Sequence, residues 1–115
     1  MRKVTQEFAN DVITTAVEGG IGYWARISEY HWRNGIPTTA MIEPLDPMDQ
    51  WPLAQLDRVL VQKGIDALAE GNIKVAPDIL GAILVSVVRP DDYDIDATAA
   101  DVIVQAGLFN DIIYG

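Results

Sequence analysis

The chain has 115 residues, half of them hydrophobic, with 17 acidic and 8 basic side chains and a formal net charge of −9. This length predicts a single domain over residues 1–115, and the apolar content is enough for a core without disulfides. The absence of cysteine excludes thiolate metal sites and cysteine nucleophiles, and it suits a reducing, cytoplasmic compartment. The negative charge argues against direct nucleic-acid binding, because lysine and arginine must replace phosphate counterions there.

Neither a secretion signal nor a membrane span is expected. The N-terminal residues are basic, but no apolar stretch follows them that would act as a signal. The longest apolar run, residues 79–88, is too short to cross a bilayer. We therefore expect no membrane association.

The first predicted element is an amphipathic helix from Thr5 to Glu18. Gly19 or Gly20 is expected to end it in the left-handed conformation that commonly closes helices. The stretch from Glu18 to Trp24 then forms an elbow between the helix and a strand. A phosphate-binding loop is the less favoured interpretation, because such loops place their glycines before a helix rather than after one. The apolar residues of the helix recur at four-residue spacing, at Val4, Phe8, Val12 and Ala16.

A β-hairpin is predicted next, because Asn34-Gly35 lies between two β-prone runs and suits a type I′ turn. Trp24, Tyr30 and Trp32 would then share one exposed strand face, of the kind that anchors a partner or stacks on a planar ligand. Pro37 cannot donate a ladder hydrogen bond, so the second strand is predicted to be an edge. The turn sets a register with these opposed pairs: Arg33 with Ile36, Ile27 with Ile42, Tyr30 with Thr39, and Arg26 with Glu43 as an ion pair.

Three further helices are expected. One begins at Pro52 and ends at Gly71 or Asn72. The next begins at Pro77 and is apolar nearly all round, which predicts burial on several sides, with a buried strand as the alternative. The last is capped by Asp96 or Thr98. The apolar faces of the first and last of these helices are formed by Leu53, Leu56, Leu60, Gly64 and Leu68, and by Val102, Ala106, Phe109 and Ile113.

The predicted fold class is therefore α+β, with an N-terminal helix, a two-stranded antiparallel hairpin and three further helices packed on it. A two-stranded hairpin is only marginally stable by itself. Its edges must be covered by helices or paired with another copy, so we also expect a homodimer or higher oligomer.

Residues that could bind a metal or act in catalysis are few. His31 is the only histidine, and on a strand near the hairpin tip it is best interpreted as solvated. Four aspartates lie close together, at positions 91, 92, 94 and 96, where a turn is expected. An EF-hand would need glycine at its sixth position, where Ala97 stands, and glutamate at its twelfth, where Ile103 stands. We therefore predict no metal and no cofactor.

Two stretches of the chain together resemble a known pattern. The first is the Glu-Gly-Gly-x-x-Tyr-Trp sequence of residues 18–24. Both stretches are similar to those of small, functionally unassigned proteins encoded by tailed phages, prophages and their bacterial hosts. The middle of the chain is not covered by this resemblance. The second stretch comprises Asp96, Ala97, Ala100, Asp101, Gln105, Leu108, Phe109, Tyr114 and Gly115.

The resemblance implies an accessory phage protein that works in the host cytoplasm, and it implies no particular reaction. It also directs attention to a set of candidate residues for binding a ligand or partner: Glu18, Gly19, Gly20, Tyr23, Trp24, Asp101 and Gln105.

Two hypotheses for function follow. The first is a non-enzymatic binding protein that interferes with a host or defence component, either by blocking a protein surface or by sequestering a small ligand. The second is a small enzyme that uses Glu18 and Asp101 as paired carboxylates, which requires the two acids to converge in one pocket. Alanine at Glu18 or Trp24 is expected to abolish capture on the first hypothesis without unfolding the domain.

Overall fold

The computed structural model describes residues 2–91 and 94–115 and, at Pro37, the backbone only. Asp92, the first position of the rejected EF-hand, therefore lies outside the described residues. The predicted turn at residues 91–94 is described only at its two ends. The fold is α+β, with four α-helices and a three-stranded antiparallel sheet in the order β1-β2-β3 among those residues. The elements are α1 (Gln6–Thr15), a π-helical turn (Ala16–Gly20), β1 (Ala25–Arg33), β2 (Ile36–Pro44), β3 (Ala54–Leu56), α2 (Arg58–Glu70), α3 (Pro77–Val88) and α4 (Ala97–Phe109).

The N-terminal helix begins as its sequence predicts and ends differently. The Thr5 hydroxyl accepts the backbone N–H of Phe8 at 3.0 Å, which caps α1. The predicted left-handed glycine is wrong, since Gly19 has an extended φ of 166° and Gly20 is not among the residues with positive φ. Gly20 is required for packing instead, because a Cβ there would lie 3.1 Å from the Ala97 carbonyl oxygen in α4.

The hairpin turn and both ends of its register are confirmed. Asn34 and Gly35 have φ of 53° and 76°, as a type I′ turn requires. The Arg26 guanidinium lies 2.6 Å from the Glu43 carboxylate, which is the predicted cross-strand ion pair. Ile27 faces Ile42 and Arg33 faces Ile36, also as predicted.

The middle of the hairpin departs from the predicted register. Two irregularities, after Ile27 and after His31, shift the pairing by one residue, so that Tyr30 faces Ala40 rather than Thr39. Tyr30 is half-buried opposite the buried Ala40, and it still packs on Trp32 with the ring centroids 5.0 Å apart. Trp24 is buried, so the predicted exposed face of Trp24, Tyr30 and Trp32 is reduced to Tyr30 and Trp32.

A third strand, β3, was not predicted. It pairs with residues 40–42 of β2, so β2 is the central strand along that stretch. The predicted edge is therefore confined to the positions of β2 that β3 does not reach, such as Pro37. The predicted helix start at Pro52 is wrong, because Asp57 caps α2 by accepting the Leu60 N–H at 3.0 Å. Leu53 is exposed, whereas Leu56 is buried in the sheet. The end of α2 is as expected, with Gly71 at φ 81°.

Helices α2 and α4 approach each other closely at two glycines. A Cβ at Gly64 would collide with the carbonyl oxygen of Ile103, and a Cβ at Gly107 would collide with the carbonyl oxygen of Leu60. The two backbones therefore touch directly. Together with the packing of α1 and the π-helical turn on α4, this contact buries every residue of α4 from Val102 to Gly107. Asp96 caps α4 as predicted, while Ile113 lies beyond the helix and is exposed.

Helix α3 begins at Pro77 as predicted, but the expected burial on several sides is wrong. Only Ile83, Ser86 and Val87 are buried. Val85 and Val88 are 39% and 50% exposed, because α3 packs on the rest of the chain along one side only. The outer side of α3 is therefore both apolar and in contact with solvent.

The glycine contact gives the first testable prediction. Gly64→Ala should lower the free energy of unfolding by about 1–3 kcal/mol, because the added methyl forces two packed backbones apart. Gly81→Ala is the matched control, since Gly81 lies in a helix with nothing within 4 Å of an added Cβ. It should raise the free energy of unfolding by about 0.5–1 kcal/mol through helix propensity. Urea unfolding measures both, and equal effects of the two substitutions would contradict the proposed close contact.

Candidate functional site

The residues singled out at the two ends of the sequence meet at the Asp101 carboxylate. The Tyr23 hydroxyl donates to Oδ2 of Asp101 at 2.5 Å. The Trp24 indole Nε1–H donates to Oδ1 at 2.8 Å, and the Gln105 amide donates to the same oxygen at 2.8 Å. Three donors from two distant parts of the chain thus converge on one half-buried side chain of α4.

Gln105 extends this network to the C-terminus. Its side chain is fully buried, and its Oε1 accepts the backbone N–H groups of Ile113 and Tyr114, both at 2.9 Å. Its Nε2 also donates to the Tyr114 carbonyl at 3.3 Å. Burying an amide is costly unless its donors and acceptors are satisfied, and here they are. The last residues of the chain are therefore held against α4 by one buried glutamine.

Four aromatic rings pack beside this network. Trp24 stacks on Tyr114 with the ring centroids 5.0 Å apart and the planes 8° from parallel. The edges of Trp24 contact Trp51 and Phe109 at 5.8 and 5.7 Å. Trp24 is only 2% exposed as a result. The predicted exposure of Trp24 on a strand face is therefore wrong, because its ring is covered by aromatic neighbours.

The loop before β3 joins the same cluster. The Trp51 indole N–H donates to the Tyr114 hydroxyl at 3.0 Å, and that hydroxyl donates to Asp49 at 2.8 Å. Sequence reasoning missed Asp49, Trp51 and the ring of Tyr114 as members of this arrangement. The one signal available was the presence of large aromatic residues in the proline-rich loop and at the C-terminus.

The remaining candidates are placed around the cluster rather than in it. Gly20 packs on the first turn of α4, where a Cβ added to Gly20 would lie 3.6 Å from the Ala100 side chain. Gly19 and Glu18 are exposed. Burial is the main cause that raises the pKa of Tyr30, and the charge of Glu18 adds to it. The charge of Glu18 thus affects Tyr30 in the sheet. The Asp101 carboxylate instead accepts hydrogen bonds from Tyr23, Trp24 and Gln105.

The environment of the cluster perturbs two phenols. Desolvation, then the hydrogen bond to Asp101 and its negative charge, raise the pKa of Tyr23 to about 12. Desolvation, followed by the hydrogen bond to Asp49, also raises the pKa of Tyr114. Both shifts favour the neutral phenol, which donates a hydrogen bond to a carboxylate. The arrangement therefore pairs phenol donors with carboxylate acceptors.

The described ranges, 2–91 and 94–115, contain no group of three or more His, Cys, Asp or Glu side chains placed to hold a metal ion. His31 is exposed, and its Nε2 lies 3.1 Å from Glu29, in agreement with the predicted solvated strand position. No helix in the described part of the chain is both long enough and apolar enough to cross a membrane.

Comparisons of the chain with protein families, with curated proteins and with solved structures return no match. The assignment of the site therefore depends on its geometry.

The Asp101 network gives the second prediction. Asp101→Asn should lower the free energy of unfolding by about 1–3 kcal/mol, because a neutral amide oxygen is a weaker acceptor than a carboxylate and the amide Nδ2 cannot accept the Tyr23 hydroxyl proton. Asp111→Asn is the control, since Asp111 is exposed and an amide oxygen can still accept the Ile112 N–H. That variant should stay within about 0.5 kcal/mol of the native chain. Equal loss in both variants, measured by urea unfolding, would mean that the network adds no stability.

The third prediction concerns Tyr23. An unperturbed tyrosine titrates at roughly 10, and the folded-state pKa is raised to about 12. The neutral phenol is therefore favoured by folding, and this contribution is present below pH ~10 and is lost as pH rises through about 12. The tyrosinate absorbance of the native chain minus that of Tyr23→Phe should have its midpoint near 12, with circular dichroism recorded to verify folding. In Asp101→Asn the midpoint should fall, and a native midpoint near ~10 would contradict the hydrogen bond.

Proposed function

We propose that this chain is a non-enzymatic binding protein that acts by occupying a surface of a protein partner. The observation that carries the proposal is the outer side of α3. Eleven of the twelve residues of α3 are uncharged, Asp78 being the exception, yet the helix is covered along one side only. The outer surface, defined here by Gly81, Ala82, Val85 and Val88, is exposed and apolar.

Such a surface is costly to leave in water. Each buried Å² of apolar area contributes about 25 cal/mol, so covering two valines and the neighbouring backbone is favourable for any complementary partner. Contiguous apolar patches that are rimmed by polar residues commonly mark interaction sites. Nothing in the packing of the described chain uses this side of α3, which supports a role in recognition.

A protein surface fits this geometry better than a sequestered small ligand. The Trp24 face that would stack on a planar ligand is occupied by Tyr114. The cleft beside α3 has a volume of about 220 Å³, below the roughly 300–1,000 Å³ of pockets that enclose drug-sized ligands. Two larger clefts, of about 330 and 410 Å³, are lined mostly by charged and polar side chains rather than by the apolar walls typical of ligand pockets. Trp32 and Tyr30, whose rings are 5.0 Å apart near the hairpin tip, offer a second aromatic contact to a large partner.

The enzyme hypothesis gains no support from the site. A carboxylate that acts as a base needs a lone pair directed at its substrate. Asp101 already accepts three hydrogen bonds from within the fold, and Glu18 is exposed next to the sheet. The network is better explained as a clasp that holds the C-terminus, and we reserve the name Asp101 clasp for Tyr23, Trp24, Asp101 and Gln105.

The identity of the partner is suggested by the resemblance to phage-encoded accessory proteins. On that basis the partner is a component of the host cell or of its defences, encountered in the host cytoplasm. The net charge of −9 favours a partner with a basic surface.

The fourth prediction tests this function. Val85→Gln/Val88→Gln introduces glutamine, a good helix former, and removes the apolar surface. Capture of the partner from a host lysate should therefore be lost, while urea unfolding is little changed. The matched control is Leu53→Gln/Val59→Gln, which replaces two exposed apolar residues away from α3. Mass spectrometry should identify a protein that is retained by the native chain and by the control and is absent with the α3 variant. Identical capture by all three chains, or no reproducible capture, would contradict the proposal.

Trp24→Ala is unsuitable for this test, because truncating a buried aromatic costs about 3–5 kcal/mol and would destabilise the fold. Glu18→Ala remains informative, since Glu18 is exposed and lies outside α3, so the proposed contact replaces the sequence-based expectation that this variant abolishes capture. It should leave capture unchanged.

A further inference from the structure

A cleft lies between α3 and the start of α4, next to the outer side of α3. Its volume is about 220 Å³. Ile79, Ala82 and Ile83 of α3 form one apolar wall, and Ile95 and Ala99 form the opposite wall. Ala82 belongs to both the cleft and the outer α3 surface, so the two features are continuous.

The rim of this cleft is acidic. Asp78, Asp94 and Asp96 line it and are exposed, and no lysine or arginine is among its described lining residues. The negative charge continues onto α1: desolvation, then the charge of Glu7 and then that of Asp94, raise the pKa of Asp11. Like charges thus accumulate at this cleft and on the neighbouring part of α1, and the lining residues that the structure describes include no cation.

We infer that this cleft receives a lysine or arginine side chain from a basic, apolar segment of the partner, an inference that rests on the proposed function. Lysine and arginine lay their aliphatic stems along apolar surface and keep the charged head at the polar edge. The walls would contact the stem, and the Asp78 and Asp94 carboxylates would meet the charged head. The apolar residues of the same segment would then lie on Val85 and Val88.

Two alternatives fit the cleft less well. A divalent cation needs several oxygens around one point, and the described carboxylates include no group placed to provide them. A second copy of this chain would bring its own charge of −9 and its own acidic rim to the contact. A cationic side chain satisfies both the apolar walls and the charged rim.

The experiment uses a short synthetic helical peptide of leucine and lysine as the probe, with a peptide in which glutamate replaces every lysine as its matched control. Calorimetry measures affinity, and amide chemical shifts map the contact. The lysine peptide should bind, should shift the amides of α3 and of the start of α4, and should bind more weakly as salt is raised. The glutamate peptide should not bind.

Matched variants separate cleft binding from general attraction. Asp78→Asn/Asp94→Asn should weaken the lysine peptide about tenfold, because two close charges are removed. Glu70→Gln/Asp111→Asn removes the same charge elsewhere and should have a much smaller effect. Ala82→Trp, at an exposed helix position, fills the cleft without changing charge and should also weaken binding. Equal weakening by both charge variants, or no effect of Ala82→Trp, would overturn the inference.

The same variants distinguish this inference from the proposed function. If Val85→Gln/Val88→Gln abolishes partner capture while Asp78→Asn/Asp94→Asn and Ala82→Trp leave it unchanged, α3 binds a partner and the cleft takes no part. If none of the variants changes capture, both proposals fail.

Discussion

The direct contact between the backbones of α2 and α4 is the constraint on which the rest of the fold depends. At Gly64 and Gly107 any side chain would collide with a carbonyl oxygen of the facing helix. Only glycine permits this approach, which covers one side of α4, while α1 and the π-helical turn pack on it as well and leave it buried over nearly two turns, from Val102 to Gly107. A helix buried in this way has no solvent to satisfy its polar side chains, so the one polar residue in that stretch, Gln105, must find all its partners inside the protein.

Those partners determine how the chain ends fold. Gln105 accepts two backbone N–H groups from the C-terminal residues and donates to Asp101, whose carboxylate in turn accepts the Tyr23 hydroxyl and the Trp24 indole N–H. The Asp101 clasp therefore links the elbow after α1 to the C-terminus across α4. Residues that a resemblance marks at both ends of the chain thus occupy one hydrogen-bonded network. A network of this kind constrains its residue types for stability alone, so their co-occurrence in a motif is no argument for catalysis.

Local signals in the sequence predicted local structure well. The helix start at Thr5, the Asp96 cap, the Asn34-Gly35 turn and the start of α3 at Pro77 are each decided by atoms within a few residues of one another. The spacing of Leu53 and Leu56 suited a helix, yet Leu56 lies in a strand, because the short β3 is held by pairing with β2 rather than by propensity. The aromatic cluster could not be predicted from the sequence, because its hydrogen bonds join residues far apart in the chain. Trp24 and Asp101 are 77 positions apart, and Trp51 and Tyr114 are 63 positions apart. The high apolar content of α3 predicts burial on several sides, and this prediction fails because composition cannot distinguish a core helix from one that packs along one side only.

The sequence predicts self-association, and the alternative is contact with a different protein. The hairpin is less open than a two-stranded model implies, because β3 pairs with part of β2 and α1 packs on the same strand. The outer side of α3 is the more apolar surface, but a symmetric contact there would bring two acidic rims together. Like charges placed against each other at an interface cost several kcal/mol, and an overall charge of −9 on each copy adds to the repulsion. The proposed basic partner would gain both from covering Val85 and Val88 and from the charges of Asp78 and Asp94. The charge pattern therefore favours the proposed contact with a partner of opposite charge over a symmetric contact between two copies at this surface.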